Sequence, residues 1–543
     1  MSVDVTTTRT TGSGGASRTT TNLLSKVLLA LLVILLIEVM FEAWVQVLLA
    51  SRHFTFAGEL IAELPSWPKN LKNGLLIALV VVAVSQITLE RRWREFRTGA
   101  DLALLTVGVI MVLAGLFGES PPLLIGEALF VYFRGAIVFY AWRALNPPWR
   151  QVRSVLWILG TIVGVNVIIA IVQMFVGYPA YARLRWIDLT WSGINRAHAL
   201  FDHPNHLGHV IGLTLIGMLA WMVGKPRAGR RWWVLLALVG LGLSATQSRE
   251  SIIGVVAAGL VIWFLRRGAG VRVFLALAIV VTLFGLHLVI RPDNIAEFAN
   301  RLRGVTSAFE VPSGTEQQHL DQKAQVCDGG GAGCAPAETT VPPREIRVLF
   351  FQQGITLTLK RPILGYGVGQ FGGIVAYRND PLWPLDPRFG PGGFNTYNFS
   401  SITVDSFWLH LVVETGILGG LAYLVWLVML LLPLLRATPR FARGDRSTRG
   451  PTQDQSTQAP TVQPHPAILW AIGSLIFGVL VACLSPALED PLFPALLFSV
   501  IAFGWIVNRR VTHPGQSVGT TDEPVSPSGL SQLPNRRHQS SSE

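Results

Sequence analysis

Thr403-Val404-Asp405-Ser406-Phe407-Trp408-Leu409-His410-Leu411 is the stretch that decides the fold, because a long polar segment ends in it and an apolar run begins. Residues 291–404 are rich in Gly, Pro, Asn and Arg, whereas Ser406–Leu435 is one of many apolar runs of membrane-spanning length. A polar insert that long, set among such runs, reads as a functional lid or binding element rather than a linker. The 543 residues are 50% hydrophobic and 14% charged, where a soluble chain carries nearer a quarter charged residues. The net charge of +12 lies in short loops beside apolar runs, which points to membrane topology and away from nucleic acid.

The expected architecture is an all-α polytopic membrane protein of about 12 transmembrane helices, with one large extracytoplasmic loop containing short helices. Residues 1–21 read as a disordered cytoplasmic tail, and 22–177 as transmembrane helices one to five. A core follows at 178–435, including the loop 291–404; then come a disordered cytoplasmic loop at 436–466, two more helices at 467–508 and a tail at 509–543. The fourth span, about Leu123–Leu145, places Glu127 and Arg134 seven residues apart on one helix face, where they read as a structural intramembrane pair, a substrate role being the lesser alternative. Clusters of Lys and Arg at 91–97, 143–153, 225–231, 266–272 and 436–449 alternate with loops at 118–122 and 485–490 that carry neither. The positive-inside rule then puts both termini in the cytoplasm and the long loop outside the cytoplasmic (inner) membrane expected to hold the chain. No cleavable signal peptide is apparent.

Cys483 lies in an apolar run and reads as a core residue. Cys327 and Cys334 flank Asp-Gly-Gly-Gly-Ala-Gly in the long loop and would close a disulfide in an oxidising compartment; zinc is the weaker alternative. Asn398-Phe399-Ser400 fits a glycosylation sequon, meaningful only in a eukaryotic secretory pathway.

Arginines in the outward loops run against the topology rule. Arg196 precedes the sixth span, Arg249 opens the eighth, and Asp405 stands at the mouth of the tenth. An arginine at membrane depth is costly unless it pairs or faces a polar cavity. Two readings stand for Arg249: pairing with Glu250 or snorkelling, and gripping a diphosphate with its partner Arg196. In Asn195-Arg196-Ala197-His198-Ala199-Leu200-Phe201-Asp202-His203-Pro204-Asn205-His206 the histidines lack a convincing metal spacing, and Asn205 reads as a helix cap. Asp405 reads either as an N-cap, a role Ser406 also fits, or as a reactive carboxylate. Gly365-x-Gly-x-Gly follows no Rossmann-like strand and reads as a turn.

These motifs resemble, in order, four signatures of the O-antigen ligase and polysaccharide polymerase family. They are Arg196 with His203-Pro204-Asn205, then Ser248-Arg249, and next an amphipathic Arg344–Lys360 followed by Arg361-Pro362-Ile363-Leu364-Gly365-Tyr366-Gly367-Val368-Gly369-Gln370-Phe371. The fourth is Asp405-Ser406-Phe407-Trp408-Leu409 with Glu414-Thr415-Gly416-Ile417-Leu418-Gly419. The resemblance covers roughly 190–435 and implies a GT-C-like membrane glycosyltransferase needing neither metal nor other cofactor. It would move a glycan from a polyprenyl-diphosphate carrier (undecaprenyl diphosphate in bacteria) to an acceptor hydroxyl, in lipopolysaccharide, capsule or exopolysaccharide biosynthesis. Implied catalytic residues are Asp405, Arg249 and Arg196; implied substrate-binding residues are Arg347, His203, Asn205, Ser248 and Glu414. Where ligases of the family carry a histidine this chain has Asp405-Ser406, which favours a polymerase of repeat units over a ligase acting on a lipid or protein acceptor. Implied partners are the lipid-linked donor, a glycan or lipid acceptor, membrane lipids, and flippase and chain-length proteins. A secondary transporter or lipid-linked glycan flippase is the alternative of another class, disfavoured by the lack of an internal repeat.

Overall fold

The computed structural model describes residues 14–54, 60–224, 229–266, 270–290, 346–390, 393–394, 403–438 and 465–512. The expected Cys327–Cys334 disulfide, the sequon at Asn398 and most of the 436–466 loop lie outside the described residues. Long helices make up almost all of the rest, because the apolar runs can satisfy their backbone groups in a membrane only internally.

In chain order the N-terminal part comprises α1 (Gly14–Leu48), a hairpin of β1 (Ser51–Phe54) and β2 (Leu60–Glu63), α2 (Trp67–Leu89), α3 (Gly99–Phe117), α4 (Pro122–Tyr132), α5 (Arg134–Leu145) and α6 (Trp149–Val176). Two short helices, α7 (Tyr178–Arg183) and α8 (Thr190–Gly193), lead into α9 (Pro204–Gly224), α10 (Arg230–Thr246), α11 (Arg249–Leu265) and α12 (Gly270–Ile290). From the long polar segment come α13 (Ile346–Lys360) and α14 (Ile374–Asn379), and the chain closes with α15 (Phe407–Arg436), α16 (Pro466–Leu484) and α17 (Leu492–Thr512).

Nine helices among the described residues are long and apolar enough to cross a membrane, or ten if the bent α4–α5 pair forms one span. The expected count of about twelve is reached only by adding α10 and α11, which at 17 residues each fall short of that length. α9, α16 and α17 form the centre: 78, 67 and 83% of their apolar windows are buried, against 28–39% for the other six spans. α9 packs on α10, α11 and α16; α17 packs on α5 and α16; α15 leans on α3 and α16.

Several local expectations change. α1 already runs from Gly14, inside the stretch expected as a tail. The loop before α2 holds an antiparallel hairpin pairing Ser51 with Glu63, above a segment anchored by Trp44 Nε1 donating to the Leu184 carbonyl at 3.2 Å. The fourth span is broken: α4 and α5 meet at 57° around Phe133. That bend undoes the helical spacing, so Glu127 and Arg134 do not pair. Glu127 instead accepts from Arg378 at 2.8 Å and Asn379 at 3.0 Å, while buried Arg134 donates to the Glu489 carbonyl at 3.0 Å.

Among the described residues, the basic α2–α3 turn, the α5–α6 turn and the end of α17 meet at one end of the bundle. Arg92 donates to the Ala144 carbonyl at 2.8 Å, Arg510 to the Pro147 carbonyl at 2.7 Å, and both Arg92 and Arg509 bond Glu95. Burial raises the Glu95 carboxyl, but the hydrogen bonds from Arg509 and Arg92 outweigh it and hold it at about 2, below its ordinary 4.5. This carboxylate staples the α2–α3 turn to the end of α17. Because the pair is partly exposed, Glu95→Gln is expected to cost about 1 kcal/mol at neutral pH. The contribution is fully present above pH 4.5 and fades as pH falls toward 2. The gap in melting temperature between wild type and variant, measured in detergent, therefore narrows over that window.

Candidate functional site

The opposite end of the bundle is built on helix starts. α9, α11 and α15 all begin there, with the positive ends of their dipoles. α10 ends at Gln247 in the left-handed conformation (φ 52°), and Ser248 turns the chain directly into α11. The 195–197 segment is pinned to that turn: Ala197 N donates to the Ala245 carbonyl at 2.9 Å, and Gln247 Nε2 to the Asn195 carbonyl at 3.2 Å.

Arg196 spans the gap between α9 and this turn. Its Nε donates to the Thr246 carbonyl at 3.1 Å and its Nη2 to Asn205 Oδ1 at 2.7 Å, with the guanidinium 5.4 Å above the Trp191 ring. Arg249, half-buried, is the first residue of α11, three residues beyond Thr246. The structure thus brings together Arg196, Asn205 and the Thr246–Arg249 turn. The cap of α9 is His203, which accepts from Asn205 N at 3.0 Å, and not Asn205 as expected; that leaves the Asn205 side chain for Arg196. Burial, then the neighbouring His206 and Arg196, hold the His203 imidazole well below its ordinary value, which keeps the accepting lone pair. Ser248 is fully buried, its hydroxyl against Ser251 at 2.8 Å, so its place is inside the turn rather than at a surface.

Around Asp405 a second group assembles. Ser406 is the N-cap of α15, accepting from Leu409 N at 3.3 Å, which leaves Asp405 to pair with Arg347 Nε of α13 at 3.0 Å. Both partners stay about one-third exposed. His410, buried, bonds the Val404 carbonyl through Nε2 at 2.6 Å and Glu489 through Nδ1, fixing the backbone next to Asp405.

Glu414 lies deeper. α15 breaks at Gly416 (φ 69°, ψ −178°), which frees the carbonyls of the preceding turn. Tyr366 N and Gly367 N donate to those of Val413 and Glu414, each at 2.9 Å, and Ile417 N donates back to the Pro362 carbonyl at 2.8 Å. The Glu414 carboxylate accepts from Phe371 N at 3.1 Å and from the Tyr132 hydroxyl at 2.8 Å. Only glycine fits at 365: its φ is +65° and an added Cβ would lie 2.4 Å from the Val413 carbonyl. The Gly-rich stretch is therefore a clasp around a broken helix, and Glu414 is buried structure within it.

The 485–490 loop joins the two groups. Glu489 holds His410, and Asp490 Oδ2 lies 3.3 Å from His206 Nε2, whose Nδ1 meets Asp202 at 2.6 Å. One turn on, His209 Nε2 meets buried Glu250 at 2.8 Å. Sequence reading missed these histidine–carboxylate pairs. The i, i+3, i+6 spacing of His203, His206 and His209 is visible, and Asp202 lies only four residues from His206, but Asp490 and Glu250 come from elements far along the chain. Among the described residues no three His, Cys, Asp or Glu are grouped so as to hold a metal ion.

Gly416→Ala is expected to cost more than about 2 kcal/mol, since a Cβ there would lie 2.1 Å from the Ile363 carbonyl at a positive φ. Glu414→Leu, which orphans Phe371 N and the Tyr132 hydroxyl, is expected to cost a similar ~2 kcal/mol. Thermal unfolding of the purified variants in detergent measures both.

A family model described as O-antigen ligase matches residues 234–424, from α10 through the broken part of α15. That range holds Ser248, Arg249, Arg347, Asp405 and Glu414, whereas Arg196, His203 and Asn205 precede it. A search of curated proteins finds no match. With its long apolar helices the chain is a multi-pass membrane protein, and over residues 234–424, about a third of its length, it is similar to the O-antigen ligase family.

Proposed function

We propose that the protein transfers a glycan from a polyprenyl-diphosphate carrier to an acceptor hydroxyl at the outer face of the cytoplasmic membrane, joining polysaccharide repeat units. The observation that carries this reading is the Arg196 bridge from Asn205 to the turn that begins α11 with Arg249. It gathers two guanidinium-bearing residues and two helix N-termini at one place, an arrangement suited to an oligophosphate.

In this reading the acceptor oxygen attacks the anomeric carbon as the bond to the diphosphate oxygen breaks. The leaving diphosphate takes the bonding electrons, and Arg196 and Arg249 stabilise its added charge. The departing hydroxyl proton passes to Asp405, which Arg347 orients at 3.0 Å. His203 and Asn205 shape the phosphate end; Ser248 and Glu414 act through the turn and the clasp. The matched family's description favours a ligase as the second reading, in which finished chains move to a lipid or protein acceptor. Both readings place the termini in the cytoplasm with the basic loops, and both expect a flippase to deliver the donor.

Complementation of surface-polysaccharide synthesis in a deletion strain tests this, with membrane levels followed by blot. Arg196→Ala, Arg249→Ala and Asp405→Ala are each expected to lower transfer by about 10²–10³-fold at normal abundance. Single-repeat carrier-linked glycan accumulates if the protein is the polymerase, and long carrier-linked chains accumulate if it is a ligase. Full activity in all three variants refutes the diphosphate pocket.

A further inference from the structure

At the end of the bundle away from Arg196, a cavity of about 570 Å³ opens among α6, α9, α10, α16 and α17. Its walls are apolar in effect as well as in composition. The three hydroxyls that line it, on Thr161, Thr214 and Ser499, each donate to a carbonyl of their own helix, at 2.9, 2.9 and 2.7 Å. An occupant is offered mainly hydrocarbon and indole contact.

The cavity has a direction. Along α9 it extends from Trp221, near the helix end, inward to Val210, and 11 residues at 1.5 Å each give about 16 Å, one leaflet's share of a ~30 Å hydrocarbon core. Five tryptophans line it, four of them (Trp149, Trp221, Trp232, Trp470) within a few residues of the basic-loop ends of their helices. Indoles collect where hydrocarbon meets headgroups. On the side between α6 and α10 the lining residues Trp157 and Leu235 are 70% and 48% exposed, so the cavity opens toward surrounding lipid.

Charge sets the headgroup. Arg150 and Arg153 follow Trp149 at the start of α6, Arg230 and Arg231 precede Trp232 at the start of α10, and all four are exposed. A basic rim above a tryptophan-lined apolar slot is complementary to an anionic headgroup above an acyl chain.

We propose that this cavity seats one acyl chain of an anionic phospholipid from the leaflet on the basic-loop side, its headgroup held by the arginines of α6 and α10. The site lies at the opposite end of α9 from Arg196 and does not rest on the transfer reaction. It ties α6 and α10 to the central helices α9, α16 and α17.

The test uses the full-length protein, delipidated and placed in nanodiscs of phosphatidylglycerol or phosphatidylcholine with brominated acyl chains, reading tryptophan quenching. Native mass spectrometry counts the lipid retained. Phosphatidylglycerol is expected to quench more strongly and to be retained over phosphatidylcholine. Each arginine among Arg150, Arg153, Arg230 and Arg231 exchanged for Gln is expected to weaken retention by about fivefold. Gly160→Phe fills the slot; nothing lies within 4 Å of a Cβ placed there, so the substitution meets open space, and retention is expected to be lost. Equal quenching by the two lipids, or quenching unchanged by Gly160→Phe, would mean ordinary annular lipid and overturn the proposal. Retention of a polyprenyl phosphate instead, indifferent to the arginine exchanges, would assign the cavity to a carrier chain and overturn it equally. The comparison of wild type in the two lipids stands even if a variant fails to fold.

Discussion

A helix that breaks inside an apolar bundle leaves backbone carbonyls with no water to take them, and α15 breaks at Gly416. Every other feature of the loop end follows from how those carbonyls are met. The 361–373 stretch folds back so that its amides reach Val413 and Glu414, and a run of left-handed glycines lets the chain come that close. Glu414 then ties the stretch to α4 through Tyr132, and Gln370 extends the tie by donating to the Gly118 carbonyl at 2.9 Å. The loop is thereby fastened to the transmembrane helices on two sides, and α13 is held where Arg347 meets Asp405.

Several buried charges are met by partners from other elements. Lys72 sits 2.6 Å from Glu42 and binds α2 to α1; His209 takes Glu250; His410 takes Glu489. Such pairs repay their desolvation poorly in stability. What they do confer is register, because each joins elements that apolar packing alone would let slide. Arg134 shows the point: the α4–α5 bend aims it at the Glu489 carbonyl, and the same loop presents Glu489 to His410 and Asp490 to His206.

How much of this was legible in the sequence depends on how local the signal is. Apolar runs of spanning length read directly as helices, and the arginines and Asp405 stood out because they broke the charge pattern around them. The break at Phe133 did not announce itself, since Tyr132-Phe133-Arg134 is good helix sequence, and the false Glu127–Arg134 pair came from assuming continuity. His203 displaced Asn205 as cap because only the folded neighbourhood, with Arg196 claiming Asn205, decides between two polar residues on either side of Pro204. Asp490, Glu250 and Glu489, which meet His206, His209 and His410, are distant in sequence, and no periodicity points to them.

The short helices explain why the arginine group can exist at all. At 17 residues, α10 and α11 are each about 25 Å long, less than the ~30 Å of a hydrocarbon core. A hairpin of two such helices carries its tip below the plane that its longer neighbours reach, unless the bilayer thins around it. Ser244, Thr246 and Ser248 are all buried at that tip, and Ala245 and Thr246 draw the 195–197 segment down with them. Guanidinium groups left at that depth in bare hydrocarbon would be costly. Here the Thr246 carbonyl and Asn205 bring oriented dipoles to Arg196, beside the starts of α9 and α11. In the proposed reaction the leaving diphosphate would bring its negative charge to the tip of this hairpin.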